Sequence, residues 1–156
     1  MTGRLSMKKI RTLKAIYQDT EVKEGESGYL ALGETFTSSL GVFTALRFLS
    51  LESKEHFIAI HLDIKNKVLC LDEVSVGSLN ASIVHPREVY KSALLSSAAS
   101  VLFVHNNPSG DTTPSREDID LTKRLKNAGD LLGIRVLDHV IVGSEHYLSF
   151  ADQGLI

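Results

Sequence analysis

The residues best suited to chemistry lie in one stretch, from His105 to Asp118, which reads HNNPSGDTTPSRED. His105 and Asn107 are two residues apart, so their side chains face the same way if the backbone is extended. Asp118 is predicted to lie one turn into the following helix, close enough to converge on the other two. Two side chains on one face plus a carboxylate, with a fourth position open to water, match the composition of a metal site.

The same three residues also fit purely structural roles. His105 could hydrogen-bond to loop backbone, Asn107 could stabilise a turn, and Asp118 could interact favourably with the N-terminus of its own helix. The residues alone leave both interpretations open.

The elements on either side of this stretch predict how it is positioned. Ser100–Val104 is a continuous apolar run, as expected for a buried central strand. Polar, turn-forming residues follow it at once, and α/β proteins usually place their sites in loops at the carboxyl ends of such strands. Ser115 then begins a long helix with a capping segment, and Gly133 is well placed to end that helix.

Strands and helices alternate along the rest of the chain, which is typical of a layered α/β domain. In chain order, the other predicted elements are an edge strand over Lys8–Tyr17, a loop over Glu21–Gly28, a helix from Ser38 or Ser39 to about Ser53, strands over Phe57–Ile64, Lys67–Val74 and Leu79–Val84, a helix opening at Pro86, and strands over Ile134–Val142 and Tyr147–Phe150. We therefore divide the chain into an N-terminal strand and loop segment, 1–35, and a domain, 36–156.

Composition excludes several functional classes. The chain has 156 residues and a formal net charge of −2, from 17 Lys+Arg against 19 Asp+Glu. Its only dense basic stretch, Arg4–Lys14, is interrupted by apolar residues, so direct binding to DNA is not expected. No apolar run approaches the roughly 20 residues that span a membrane, and no signal peptide is visible, so we expect a cytoplasmic protein.

Cys70 is the single cysteine of the chain. It excludes an internal disulfide and a multi-cysteine zinc site. It also excludes nucleobase deaminase chemistry, which needs a Pro-Cys-x-x-Cys segment. Because its neighbours are apolar, Cys70 is predicted to be a buried core thiol.

Several separated motifs resemble the RadC family of bacterial proteins. The string HNNPSGDTTPSREDIDLT resembles the RadC signature His-Asn-His-Pro-Ser-Gly followed by Pro-Ser-x-x-Asp, and further matches are HPREVYKSAL at 85–94, LDIKNKVL at 62–69, LGIRVLDHVIVG at 132–143 and the closing Gly154-Leu155-Ile156. Over roughly residues 38–156, the resemblance implies an MPN (JAB/Mov34) fold with a JAMM metal motif. That fold is a twisted mixed sheet flanked by helices, similar in shape to cytidine deaminases. The resemblance also implies a short form, without the N-terminal helix-hairpin-helix extension of longer members.

The resemblance to JAMM metallopeptidases also implies roles for individual residues. His105 and Asp118 would be zinc ligands, and Ser115 would help to stabilise the oxyanion. Glu55, which follows the first predicted helix at the start of a strand, would be the general base, with Glu88 as the other candidate. The implied reaction is amide hydrolysis, in which zinc lowers the pKa of its bound water to about 7 and the carboxylate takes the proton.

Asn107 stands where the family signature has its second histidine. An amide oxygen is a neutral, harder donor than imidazole, and it suits calcium or magnesium better than zinc. A metal set of His105, Asn107 and Asp118 is therefore expected to bind zinc weakly or not at all. The alternative is that a nearby side chain such as Asp111 substitutes, although it would have to reach back across a Pro-Ser-Gly turn.

Three functions fit these features. The first is a zinc-dependent metallopeptidase or isopeptidase-type hydrolase with an impaired metal site, acting on an unidentified peptide or protein. The second is a non-catalytic MPN module that binds a partner through the same groove, and the third is an accessory role in DNA repair, which the family name suggests. An edge strand near the N-terminus could also pair with another copy of the chain. His139, on a predicted strand, is expected to be a hydrogen-bonded core histidine.

Overall fold

The computed structural model describes residue 3 and residues 5–21, 33–77 and 84–156. Within these ranges the chain forms three α-helices, one short 3-10 helix and five β-strands. In chain order they are α1 (Ser39–Leu46), the 3-10 helix (Arg47–Leu51), β1 (Glu55–Leu62), β2 (Val68–Gly77), α2 (Pro86–Leu95), β3 (Ser100–Asn106), α3 (Arg116–Leu132), β4 (Arg135–Val142) and β5 (Tyr147–Ser149).

The five strands form one mixed sheet in the order β2-β1-β3-β4-β5. Strand β1 is antiparallel to both β2 and β3, β3 is parallel to β4, and β4 is antiparallel to β5. All seven residues of β3 are buried, which confirms the central strand predicted from its apolar run. The mixed sheet with its helices confirms the predicted α/β class.

Helices cover both faces of the sheet. Successive side chains of a strand point to opposite faces, so Ile58 and Ile60 pack with α1 and the 3-10 helix. Phe57 and Ala59 pack instead with α2 and α3, as does Phe103 on β3. This second face also carries His105, two residues beyond Phe103. In the described part of the chain, no helix combines the length and the apolar composition that crossing a membrane requires.

Helix α3 begins and ends where the sequence predicts. The Ser115 hydroxyl accepts a hydrogen bond from the Asp118 amide, and the Asp118 carboxylate accepts one from the Ser115 amide, so each end of this capping box satisfies a free backbone donor. Gly133 adopts a left-handed conformation with φ 75°, the conformation that ends many helices and that glycine adopts without strain. Pro86 likewise opens α2 at its first position.

Helix α1 is shorter than predicted. Ser38, rather than Ser39, is its N-cap, because the Ser38 hydroxyl accepts a hydrogen bond from the Gly41 amide. The α-helix ends at Leu46 and continues as the 3-10 helix to Leu51, two residues before the predicted end at Ser53. A 3-10 turn of this kind is common at the end of an α-helix.

The hairpin of β1 and β2 has a longer turn than the predicted Lys65-Asn66 pair. The Asp63 carboxylate accepts hydrogen bonds from the amides of Lys65 and Lys67, at 2.7 and 3.0 Å, and closes the turn. Asn66 takes the left-handed conformation, with φ 60°, which asparagine tolerates better than most residues. Strand β1 ends at Leu62, two residues before the predicted end, and it also starts two residues early, so that Glu55 lies on the sheet.

The edge strand predicted over Lys8–Tyr17 is wrong, because residues 5–21 form neither helix nor strand. Ile10 and Leu13 are 89% and 87% exposed, so the weak apolar alternation has no buried face to stabilise a strand. The Tyr17 hydroxyl donates a hydrogen bond to the Ser96 carbonyl. Residues 78–83 lie outside the described ranges, and with them most of the strand predicted over Leu79–Val84.

Candidate metal centre

Three side chains from three elements meet at one end of the sheet. Phe57 pairs with His105 across β1 and β3, so Glu55, two residues before Phe57, lies on the same face as His105. Asp118 approaches from the first turn of α3. The His105 Nε2 atom lies 3.9 Å from the Glu55 Oε1 atom and 3.8 Å from the Asp118 Oδ1 atom. Among the described residues, this is the only group of three His, Cys, Asp or Glu side chains close enough to share an ion.

The three side chains line a pocket whose walls are partly apolar. The other lining residues are Phe57, Val84, Glu117 and Leu121. The His105 side chain is 4% exposed, whereas those of Glu55 and Asp118 are 18% and 24% exposed. The imidazole therefore forms the floor of the pocket, and the carboxylates face the entrance.

His105 is held in place by a line of buried hydrogen bonds. Its Nδ1 atom lies 2.7 Å from the Nε2 atom of His139 on β4, and the His139 Nδ1 atom lies 2.7 Å from the Thr122 hydroxyl on α3. Thr122 donates in turn to the Asp118 backbone carbonyl. His139 stacks on Phe150, with ring centroids 4.7 Å apart. These contacts leave the Nε2 atom of His105 as the one that faces the carboxylates.

Burial sets the protonation of the site. It raises the pKa of the Glu55 carboxyl, and the negative charge of Asp118 adds to the rise. It lowers the pKa of the His105 imidazole, an effect that Asp118 opposes. It also lowers the pKa of His139 well below the ordinary range, with His105 adding to the shift. Both imidazoles are consequently neutral at neutral pH, and Glu55 is a stronger base than an exposed glutamate.

The spacing of the three groups fits a small divalent ion. Nitrogen and oxygen ligands lie about 2.1 Å from zinc, so two ligand atoms at a tetrahedral angle are about 3.4 Å apart. The separations of 3.8 and 3.9 Å from His105 are slightly larger than this, and both exceed hydrogen-bond length. A neutral imidazole and two carboxylates form a donor set that attracts a cation, and small side-chain adjustments would bring them within bonding distance.

The other predicted site residues lie outside this group. The Asn107 side-chain oxygen accepts hydrogen bonds from the Ser109 amide and hydroxyl, at 3.1 and 2.9 Å, in the turn after β3. Asp111 is exposed and accepts from the Thr113 amide, so it does not substitute as a third ligand in this arrangement. Glu88 pairs with Lys91 on the exposed side of α2, whereas Glu55 lies in the pocket. Ser115 is the exposed N-cap of α3 and is not among the residues that line the pocket.

Two residues near the site were not singled out by the sequence as part of it. His139 was expected to be a hydrogen-bonded core histidine, and its partner proves to be His105. No signal within either segment reveals this contact, because it is the parallel register of β3 and β4 that sets the two histidines two positions apart and places both rings on one face. Asn106 is fully buried. Its side-chain oxygen accepts a hydrogen bond from the His56 backbone amide, and its side-chain nitrogen donates one to the Lys54 backbone carbonyl. It thereby fixes the end of β3 against the start of β1, where Glu55 lies.

Comparison with known proteins identifies the family. Residues 36–155 match the family model described as a RadC-like JAB domain. The chain belongs to the RadC family. A UPF0758 protein of Geotalea uraniireducens is 58% identical over 103 residues, which cover 66% of this chain and 45% of the relative. Relatives of the same description in Geobacillus kaustophilus and Syntrophotalea carbinolica are 56% identical over 115 residues and 52% identical over 125 residues. These matches cover 74% and 80% of this chain, and 50% and 55% of the relatives.

The chain spans about half the length of the curated RadC relatives it matches. The five-stranded mixed sheet is consistent with the JAB/MPN fold that the resemblance implies. Family membership and fold are thus established for residues 36–155, and the roles of individual site residues remain predictions.

Proposed function

We propose that this RadC-family chain is a metal-dependent hydrolase of JAMM type, which cleaves amide or isopeptide bonds and whose zinc affinity is reduced by Asn107. The main support is the convergence of Glu55, His105 and Asp118 on one pocket. A divalent ion held by His105 and Asp118 would supply Lewis acidity to a water molecule and to the carbonyl of the substrate.

Glu55 is suited to act as the general base. Its raised pKa means that it accepts a proton more readily than an exposed glutamate does. Its side chain is 18% exposed, so water can reach it from the pocket. After taking a proton from the attacking water, the same carboxyl can deliver that proton to the leaving amine.

Ser115 is the candidate for stabilising negative charge, because it caps the helix that carries Asp118. Its oxygen already accepts from the Asp118 amide, which leaves the hydroxyl proton free for another acceptor. That acceptor would be the carbonyl oxygen of the substrate as it gains charge during the attack. The aromatic ring of Phe57 and the side chain of Leu121 would form apolar walls beside the reacting groups.

Asn107 weakens zinc binding in this proposal for two reasons. Its amide oxygen is a poorer zinc ligand than an imidazole nitrogen. That oxygen also accepts two hydrogen bonds from Ser109, which it would have to give up in order to bind a metal. His105 and Asp118 then remain as the protein ligands, with Glu55 beside them as the base.

The test compares the unmodified protein with the Asn107→His variant, each with and without a second change of His105→Gln. Bound zinc is measured by elemental analysis after dialysis, and affinity by calorimetric titration. Structural zinc sites gain about 10–16 kcal/mol from four ligands, so restoring one imidazole is expected to tighten binding on the order of 100-fold. His105→Gln is expected to abolish binding in both backgrounds.

Two results would contradict the proposal, and they differ. Stoichiometric zinc in the unmodified protein would show that Asn107 does not weaken the site. If Asn107→His also binds no zinc, the hydrolase assignment fails. The occupied Asn107 oxygen would then favour a non-catalytic module that binds a partner in the same pocket. Melting temperature with and without a chelator gives an independent reading, because a metal bound only to the folded state must raise it.

A further inference from the structure

The hydroxyl of Thr122 has one proton and two close partners. The Asp118 backbone carbonyl, at 2.7 Å, can only accept a hydrogen bond, so the Thr122 proton points to it. The other partner is the Nδ1 atom of His139, also at 2.7 Å. Since the Thr122 proton is used, both contacts are hydrogen bonds only if the His139 Nδ1 atom carries a proton and donates it to the Thr122 oxygen.

The order of donors then continues to His105. A neutral imidazole that carries its proton on Nδ1 has a lone pair on Nε2. The His139 Nε2 atom lies 2.7 Å from the His105 Nδ1 atom, so it accepts a proton from there. His105 therefore uses its single proton inside the protein. Its Nε2 atom keeps a lone pair, directed at the pocket.

We propose that Thr122 and His139 act as positioning residues that hold His105 in the tautomer with a free Nε2 lone pair, the form that a divalent cation requires. The relay starts at the backbone of Asp118 and ends at the imidazole beside the Asp118 carboxylate. Asp118 is thus found at both ends of the relay, with its backbone carbonyl at one end and its carboxylate at the other. The effect on metal affinity rests on the proposed function, whereas the tautomer itself does not.

The opposite proton order satisfies fewer groups. If Thr122 donated to His139 instead, its bond to the Asp118 carbonyl would be lost. The His105 proton would then move to Nε2, where the nearest carboxylate oxygens are 3.8 and 3.9 Å away and too distant for a hydrogen bond. Thr122 and His139 are fully buried, so their hydrogen-bond partners have to come from within the protein.

Two substitutions at Thr122 separate the hydroxyl from the shape of the side chain. Thr122→Ser keeps the hydroxyl. Thr122→Val keeps the branched shape, but it leaves the His139 Nδ1 proton without an acceptor. The proton order is then expected to reverse, with His139 donating from Nε2 and His105 carrying its proton on Nε2.

The experiment records imidazole ¹⁵N chemical shifts of the chelator-treated protein at slightly alkaline pH, with the His105 signals assigned by their loss in His105→Gln. The unmodified protein and Thr122→Ser are expected to show His105 protonated on Nδ1 and unprotonated on Nε2. Thr122→Val is expected to show the two nitrogens exchanged. A proton on His105 Nε2 in the unmodified protein would overturn the proposal, even if Thr122→Val does not fold.

Zinc titration of the same proteins measures the consequence. Loss of an outer partner of a metal-binding histidine typically lowers affinity about 10–100-fold, and this is expected for Thr122→Val but not for Thr122→Ser. Equal affinities for the two variants, with unchanged imidazole shifts, would overturn the relay. Absence of zinc binding even when Asn107→His is introduced would count against the proposed function, while the tautomer measurement still decides the relay.

Discussion

Ser115 offers the sharpest test of how the local sequence supports the site. Replacing it with alanine removes the acceptor of one hydrogen bond, the 3.0 Å contact from the Asp118 amide. The reciprocal contact, 2.9 Å from the Ser115 amide to the Asp118 carboxylate, remains. Loss of one N-cap acceptor costs about 1 kcal/mol of unfolding free energy, within a range of about 0.5–2. For a chain of this length, that corresponds to a melting temperature lower by about 2–4 °C.

The matched control is Ser115→Asn. Asparagine is as good an N-cap as serine, so its side-chain oxygen is expected to keep stability within a few tenths of a kcal/mol. Thermal and urea unfolding, followed by circular dichroism, measure both variants. If Ser115→Ala were as stable as the unmodified protein, or if both variants lost stability equally, the capping argument would be refuted. With stability kept by Ser115→Asn, any loss of hydrolysis in that variant would belong to the missing hydroxyl.

Three further predictions follow from burial. Lowering the pH below about 6.5, the ordinary imidazole pKa, is expected to reduce the unfolding free energy of the metal-free protein. The reason is that His105 and His139 have lowered pKa values in the folded protein, so the unfolded chain binds more protons, and each histidine contributes up to about 1.4 kcal/mol per pH unit. A urea stability profile that is flat from pH 7.5 to 5.5 would contradict this. Gly129→Ala is expected to lose about 1–3 kcal/mol in urea unfolding, because the added methyl would collide with the Ile134 carbonyl, and a gain of the roughly 1 kcal/mol that alanine offers in a helix would disprove it. Burial raises the pKa of the Cys70 thiol, so less of the reactive thiolate is present at neutral pH. Alkylation of Cys70 is therefore expected to be slower than alkylation of a short cysteine peptide, and an equal rate would contradict this.

The sequence predicted most of what is local and less of what depends on pairing between distant segments. The continuous apolar run of β3 and the capping and terminating residues of α3 were read correctly, because their signals lie within a few residues of the element itself. His105 on β3 and Asp118 on α3 line the same pocket. The choice between Ser38 and Ser39 as the cap of α1 depends on side-chain geometry, which residue types alone do not decide.

The features that the sequence did not predict depend on contacts between segments that are distant along the chain. The weak alternation near the N-terminus resembles a strand by pattern, but a strand also needs a partner and a buried face, and residues 5–21 have neither. The role of His139 depends on the register of β3 and β4, which no single segment encodes. The same holds for Asn106, whose buried amide reaches across to the backbone on either side of Glu55.

The pairing of Phe57 with His105 has a consequence for how this centre can change. Because Glu55 and His105 lie on neighbouring paired strands, the register of the two strands sets their relative position, and a register changes only by whole residues. Inserting or deleting one residue within β1 between Glu55 and Phe57 would turn the carboxylate to the opposite face of the sheet, away from His105. Length changes in the connections between paired strands leave that register intact. Designers who wish to graft new specificity onto this scaffold should therefore vary the connections and keep the two strands unaltered in length.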